Sequence, residues 1–232
     1  MITQDAMRAD WLSKKCSFPR EKISVVYNSS FGDYLPPRKS RYFRDKFGIA
    51  SDKTVVLAVG TLDKYTFAQE IAESVYRWNP EFVLVFHGWG DIELIRKAAD
   101  KYPGRIFIST ELLPIERKYE VFQSADIGLV IFSPDNDNCW LTGTSAGKLF
   151  EFTRCGVPVI VNELQGMREL VGGRCGEVCG ARLESLETVL QKVRKNHDVY
   201  SKGCNGFYAE HSFAVCYRNF LEKVNAFYSL SR

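Results

Sequence analysis

The feature that most constrains this chain is an alternation. Strand-sized apolar runs are separated by amphipathic stretches along most of its length. The runs at 54–59, 82–87, 127–132 and 157–161 are apolar almost throughout rather than at every second position. Such strands are covered on both faces, which calls for a parallel sheet with helices above and below it. Shorter strands are predicted at 23–27, at 105–108 and near 177–179. The stretches between them have helical spacing: Ile71, Val75 and Trp78 fall four and then three residues apart. Helices are predicted over 38–47, 67–78, 92–101, 115–123, 146–154, 183–196 and 207–228, with a short one after Gly166. The expected fold is α/β: one doubly wound, mainly parallel, Rossmann-like sheet of about six strands. Residues 127–132 should form an interior strand. The domain should span residues 21–206, with 1–20 as an N-terminal segment and 207–232 as a C-terminal helix. In such folds ligands sit at the carboxyl ends of the strands, so the loops after residues 60, 87, 108, 132 and 161 are the ones to read.

Composition narrows the partners. The 232 residues carry a net charge of +3, too small to argue for nucleic acid. Residues 14–46 hold nine of the basic residues (Lys14, Lys15, Arg20, Lys22, Arg38, Lys39, Arg41, Arg44 and Lys46) against Glu21, Asp33 and Asp45. That stretch is either a solvated basic face or a surface for phosphates and anionic lipid headgroups, which would give peripheral membrane contact. No apolar run approaches the roughly 20 residues that cross a bilayer, and the N-terminus lacks the apolar core of a signal peptide. The seven cysteines are odd in number and without Cys-x-x-Cys spacing. They read as free thiols in a reducing compartment, the cytoplasm, and no metal site is expected.

Three segments carry candidate chemistry. Gly60 follows a strand directly and would let main-chain N–H groups approach a phosphate; taken alone it reads first as a plain strand-to-loop turn. His87, at the next strand end, reads either as an acid–base group or as a core hydrogen-bonding residue. The richest segment is GTSAGKLFEFTRCGVPVIV, 143–161. It is not a Walker loop: three residues, not four, separate Gly143 from Gly147, and Leu149 follows Lys148. What remains is a loop of small residues opening a helix with Lys148 in its first turn. Unpaired N–H groups, the positive end of the helix dipole and an ammonium converge there, a setting suited to a diphosphate. Glu151, three residues on along the same face, is suited to ribose hydroxyls. A surface Lys/Glu pair on an amphipathic helix fits these residues as well. The acidic loop from Asp135 to Asn138 reads as solvated.

In this segment the chain resembles the nucleotide-sugar-binding, C-terminal half of a GT-B glycosyltransferase of the group 1, family 4-like kind. KISVVYNSSFGDY is similar to the stretch that enters that domain, with Asn28 matching. VVLAVGTL and FVLVFHGWGD resemble its first strand and a later strand that ends in a glycine loop. YEVFQSADIGLVIFSPD carries the family's Ala-Asp pair at Ala125 and Asp126. GKLFEFTRCGVPVIV and GMRELVGGRCGEVC resemble the donor-binding helix, the Gly-x-Pro-Val strand and the turn after it.

The resemblance implies a nucleoside-diphosphate sugar donor and no cofactor. It places Gly60, Lys64, Thr144, Ser145, Gly147, Lys148 and Glu151 at the donor, with the main chain from Ser109 to Leu113 facing the base and His87 as a further candidate. It leaves the catalytic residue unassigned. Three departures stand out. Gly143 occupies the place of a family Glu eight residues before Glu151. Thr61 replaces a strand-end Arg, and Lys64 is displaced from the usual Lys. Because the acceptor and the usual base belong largely to the family's other domain, an acceptor-binding domain or separate subunit is expected as partner. An exposed apolar face is expected near the cleft or along 207–228, whose aromatics are Phe207, Tyr208, Phe213, Tyr217, Phe220, Phe227 and Tyr228. The implied activity is glycosyl transfer in glycan synthesis. A non-catalytic nucleotide-sugar-binding subunit and a GT-B-type sugar-nucleotide epimerase are the alternatives.

Overall fold

The structure is a computed structural model that describes residues 1–35 and 39–229. The chain opens with a small β–α–β unit. Strand β1 (Ile2–Thr3) leads into helix α1 (Ala6–Cys16), and the chain returns as β2 (Ser24–Val25), paired parallel to β1. Asp5 starts α1 by accepting the Met7 N–H at 2.8 Å. The strand expected over 23–27 is thus shortened to two residues and lies outside the main sheet.

Helix α2 (Tyr42–Phe47) precedes the main sheet. It starts later than the predicted 38–47, whose first residue, Arg38, lies outside the described residues. The sheet then alternates with helices: β3 (Thr54–Leu62), α3 (Ala68–Ser74), β4 (Phe82–Gly90), α4 (Ile92–Lys101), β5 (Ile106–Ser109), α5 (Lys118–Gln123) and β6 (Ile127–Val130). After the short α6 (Asp137–Trp140) come α7 (Gly147–Arg154), β7 (Val159–Asn162), α8 (Met167–Val171), β8 (Gly176–Cys179) and α9 (Leu186–Lys195). All six strands are parallel, in the order β5-β4-β3-β6-β7-β8. Strand β6 lies inside the sheet and is buried along its length.

Alternate residues of the strands feed two apolar layers. Val56, Ala58, Leu84 and Phe86 face α3, α4 and α9. Val55, Leu57, Val83 and Val85 face α2, α5, α7, α8 and a later helix. Each such buried side chain contributes roughly 1.5–3 kcal/mol, so the two layers hold the sheet from both sides. Strands β3 and β4 run on past Gly60 and Gly88 and stay paired to Leu62 and Gly90. The expected stops at those glycines do not occur, because a parallel ladder needs main-chain groups only.

The helix predicted over 207–228 is two helices. α10 (His197–His211) and α11 (Phe213–Ser229) meet at Ser212, whose φ of −61° and ψ of 151° leave the helical region. α10 begins ten residues earlier than predicted and absorbs Gly203. A side chain at 203 would put its Cβ 1.8 Å from the Arg174 carbonyl oxygen, so the glycine marks a close helix-to-turn approach rather than a helix end. Phe207 and Tyr208 are buried, and Tyr208 donates to Gly32 O at 2.7 Å. On α11, Phe213, Tyr217 and Phe220 follow one another at 5.5 and 6.1 Å, with Tyr217 exposed and Phe31 standing beside Phe213. This is the apolar face expected along the terminal helix. The side chains of Phe227 and Tyr228 lie outside what the structure describes. Among the described residues no helix is long and apolar enough to cross a membrane.

Candidate functional site

Strand order reverses direction between β3 and β6, and the crevice outside their carboxyl ends is where this topology places ligands. A cleft of about 580 Å³ opens there, floored by Val59, Gly60 and Thr61 and walled by Ser145, Gly147, Lys148 and Glu151. It adjoins an apolar hollow of about 860 Å³ between the ends of β3, β4 and β5, with Val59, Gly60 and Phe122 shared by both.

Lys148 is the central cation. Its Nζ lies 4.4 Å from the centre of the Phe132 ring, and among the described residues it forms no ion pair. Burial pushes its pKa down to about 8, with small opposing effects from Cys139 and Asp63. Asn162 fixes Phe132: its Oδ1 accepts from Phe132 N at 3.1 Å, and its Nδ2 donates to Phe132 O at 2.7 Å and to Ala181 O at 2.8 Å. The main chain that carries the ring under the lysine is therefore fixed. No side chain caps α7; Leu149 N–H donates to Ala146 O at 2.9 Å, and the N–H groups of Gly147 and Lys148 are left for the cleft. Glu151 stands one turn further on. Its Oε1 accepts a hydrogen bond from Lys118, and its Oε2 is buried with no partner. A buried carboxylate oxygen without a donor is costly unless a ligand hydroxyl meets it.

The N-terminal segment completes the glycine loop. Asp5 Oδ2 accepts from Thr144 N at 2.8 Å and from Thr144 Oγ1 at 2.9 Å, and Thr144 Oγ1 also lies 2.9 Å from Gln4 O. Thr144 is consequently buried and committed to α1, which corrects its expected place at the phosphates. Asn28 donates to Ser145 O at 3.1 Å, and its own N–H to Thr144 O at 3.1 Å. Gly143 has φ of +30°, and a Cβ there would lie 2.3 Å from Asp5 Oδ2. A side chain at 143 would displace the Asp5 carboxylate and hold a backbone conformation that L residues rarely adopt.

Lys64 is a second correction. Asp63 accepts from the N–H groups of Tyr65 and Thr66 at 2.9 and 3.1 Å and closes a tight turn. The turn carries Lys64 out over the Tyr65 ring, 5.1 Å from its centre, beside Asp91 and away from the cleft. Gly60, Ser145, Gly147, Lys148 and Glu151 do come together. His87 and Leu113 line the adjoining hollow. Ser109 is buried behind it, 3.0 Å from His87 Nδ1 through its Oγ, because the two residues are register partners across β4 and β5. Burial, with Lys46 nearby, lowers the pKa of His87. Asn162, Arg8 and Lys118 are further residues at the site; none belongs to a local motif that would have announced it.

Outside the cleft, charges pair. Arg20, Lys39, Arg41, Arg44 and Lys46 each meet a carboxylate, so much of the basic stretch is neutralised within the chain. Asp135 in the acidic loop meets Arg182 at 2.5 Å.

No family model matches the chain, and no curated protein matches it in sequence. Its fold does match solved structures. Anabaena HepE, solved in complex with UDP, superposes with a TM-score of 0.74 at 13% identity over 97% of this chain and 63% of that one. Sucrose-phosphate synthase of Thermosynechococcus elongatus gives 0.70 at 15% identity over 98% and 58%. The C-terminal domain of a group 1 glycosyl transferase, LpcC of Francisella tularensis, gives 0.59 at 13% identity over 76% and 94%. The likeness is one of fold: the chain has the Rossmann-like architecture found in GT-B glycosyltransferases. It spans less than two thirds of the length of HepE and of the synthase.

Proposed function

We propose that this chain is the donor-binding domain of a glycosyltransferase, taking a nucleoside-diphosphate sugar. The observation that carries the reading is one pairing in the cleft: a half-buried, unpaired ammonium at an uncapped helix start, and an unpartnered carboxylate oxygen one turn away. Breaking a sugar–phosphate bond leaves charge on the diphosphate. Lys148 and the α7 amides would stabilise that charge, and Glu151 Oε2 would take the ribose hydroxyls. The apolar hollow would hold the base. That HepE, with the same fold, binds UDP makes UDP the first ligand to try. The acceptor and the base for its hydroxyl would come from a further domain or a partner chain, in glycan synthesis.

Titration calorimetry tests this with UDP and inorganic pyrophosphate on three proteins. Lys148→Ala should lose about 1.5–3 kcal/mol of binding to both ligands, roughly ten- to a hundred-fold in Kd. Glu151→Gln should weaken UDP while leaving pyrophosphate nearly unchanged. Parental affinity in Lys148→Ala would remove the phosphate site.

A second reading, a nucleotide-sugar-binding subunit without turnover, is favoured by one observation: position 143 is a glycine packed against the Asp5 carboxylate and carries no acid of its own. Hydrolysis or transfer by the chain, alone or with an acceptor domain added, argues for the enzyme.

A further inference from the structure

The cleft has a charge deficit on one side. A nucleoside diphosphate carries about three negative charges near neutral pH, yet β3 supplies no cation: position 61 is threonine, and the Asp63 turn carries Lys64 elsewhere. Lys148, with its pKa lowered to about 8, is the single cation contributed by the main α/β domain to the lining.

The second cation in the lining is Arg8, on the first turns of α1. Its Nε donates to Leu141 O at 2.8 Å and its Nη2 to Asn138 O at 2.6 Å. Both acceptors are main-chain carbonyls, so the guanidinium is oriented without being neutralised, and among the described residues no carboxylate pairs with it. Its Nη1 edge makes no hydrogen bond within the chain among those described. The same helix is held to the loop by the Asp5–Thr144 bonds, so Arg8 is carried on a fixed support. Cys139 feels both cations: Arg8 and Lys148 each pull its pKa down against the larger effects of burial and Asp63. Both cations line the same cleft.

Resting on the reading of this cleft as a diphosphate site, we propose that Arg8 is its second phosphate-binding residue. The N-terminal segment thereby supplies the charge that the end of β3 lacks. Two carbonyl bonds fix the guanidinium plane, and the remaining N–H edge is presented to a phosphate oxygen, where a charge-assisted bond is strong.

The test uses the full chain, with inorganic pyrophosphate, UDP and uridine titrated against the parent, Arg8→Gln, Arg8→Lys and Lys148→Ala. Arg8→Gln should lose roughly tenfold or more in affinity for pyrophosphate and UDP and leave uridine unchanged. Arg8→Lys, which keeps the charge but not the double carbonyl clamp, should fall between the parent and Arg8→Gln in pyrophosphate affinity. If Arg8 is only a strut for 138–141, uridine binding falls as far as UDP binding and Arg8→Lys is as weak as Arg8→Gln; either result overturns the proposal. Should Arg8→Gln fail to fold, the parent itself decides. The Arg8 Nε–H resonance should shift on adding pyrophosphate and saturate with the calorimetric Kd; an unmoved resonance at saturation overturns the proposal. Loss of pyrophosphate in Lys148→Ala alone removes Arg8 and keeps the site, whereas a parent that binds neither pyrophosphate nor UDP removes both.

Discussion

Lys148 shows how one half-buried charge couples ligand and pH. Its unfolded-state pKa is near the ordinary 10.5, and burial brings it to about 8 in the folded chain. Between those values the unfolded chain holds more protons, so this group makes the ligand-free fold gain stability as pH rises from about 8 to 10.5. Urea denaturation at both ends of that window should show the gain in the parent relative to Lys148→Met, a comparison that cancels the buried thiols. Ligand affinity runs the other way. A bound diphosphate favours the ammonium, so affinity should be full below about pH 8 and fall by up to tenfold per pH unit above it. An affinity flat from pH 7 to 9.5 in calorimetry would show that Lys148 does not face the phosphates. The convergence of Gly60, Gly147, Lys148 and Glu151 was legible in the sequence because three of the four share one helix and strand–loop order brings in the fourth. Lys64 was misread because its direction depends on the Asp63 turn. Thr144 was misread because its partner, Asp5, is 139 residues away.

Elements followed the apolar pattern wherever burial alone decided them. Strands β3, β4, β6 and β7 lie where continuous apolar runs put them. The failures have physical causes that act across the chain. Ser212 breaks a helix without a glycine or proline to announce it, and Gly203 continues one because the Arg174 backbone presses against it. Gly203→Ala should therefore destabilise the chain, although alanine is the better helix former. Overpacking of that kind costs about 1–3 kcal/mol, measurable as a lower urea midpoint at unchanged slope. A more stable Gly203→Ala protein would mean that α10 sits further from residue 174. Asp5→Ala removes a helix cap, about 1 kcal/mol, and charge-assisted bonds to Thr144 of about 1.5–3 kcal/mol. A total loss of about 2.5–4 kcal/mol is expected from these two effects. Hydrogen exchange should speed up in both α1 and 143–146; faster exchange in α1 alone would show that the loop stands without it.

At the scale of the whole molecule, the sheet joins two apolar layers, and the cleft draws on both the N-terminal unit and the α/β domain. Unfolding should be one transition, coincident by tryptophan fluorescence and far-UV circular dichroism, and UDP should move it as a unit. At a hundred times Kd the ligand adds about 2.7 kcal/mol, which for a domain of this size raises Tm by roughly 5–10 °C. Two separated transitions, with only the second moved by UDP, would show that the N-terminal unit melts independently of the site. The contact of Asp5 with Gly143 bears on how relatives of this chain are recombined. A hybrid cut near residue 20 would exchange an acid on one parent for whatever stands opposite it on the other. Since a Cβ at 143 would displace that acid from Thr144, the heritable unit is discontinuous: the first sixteen residues and the loop at 143–145 should travel together, or the graft loses the bonds that hold its donor loop.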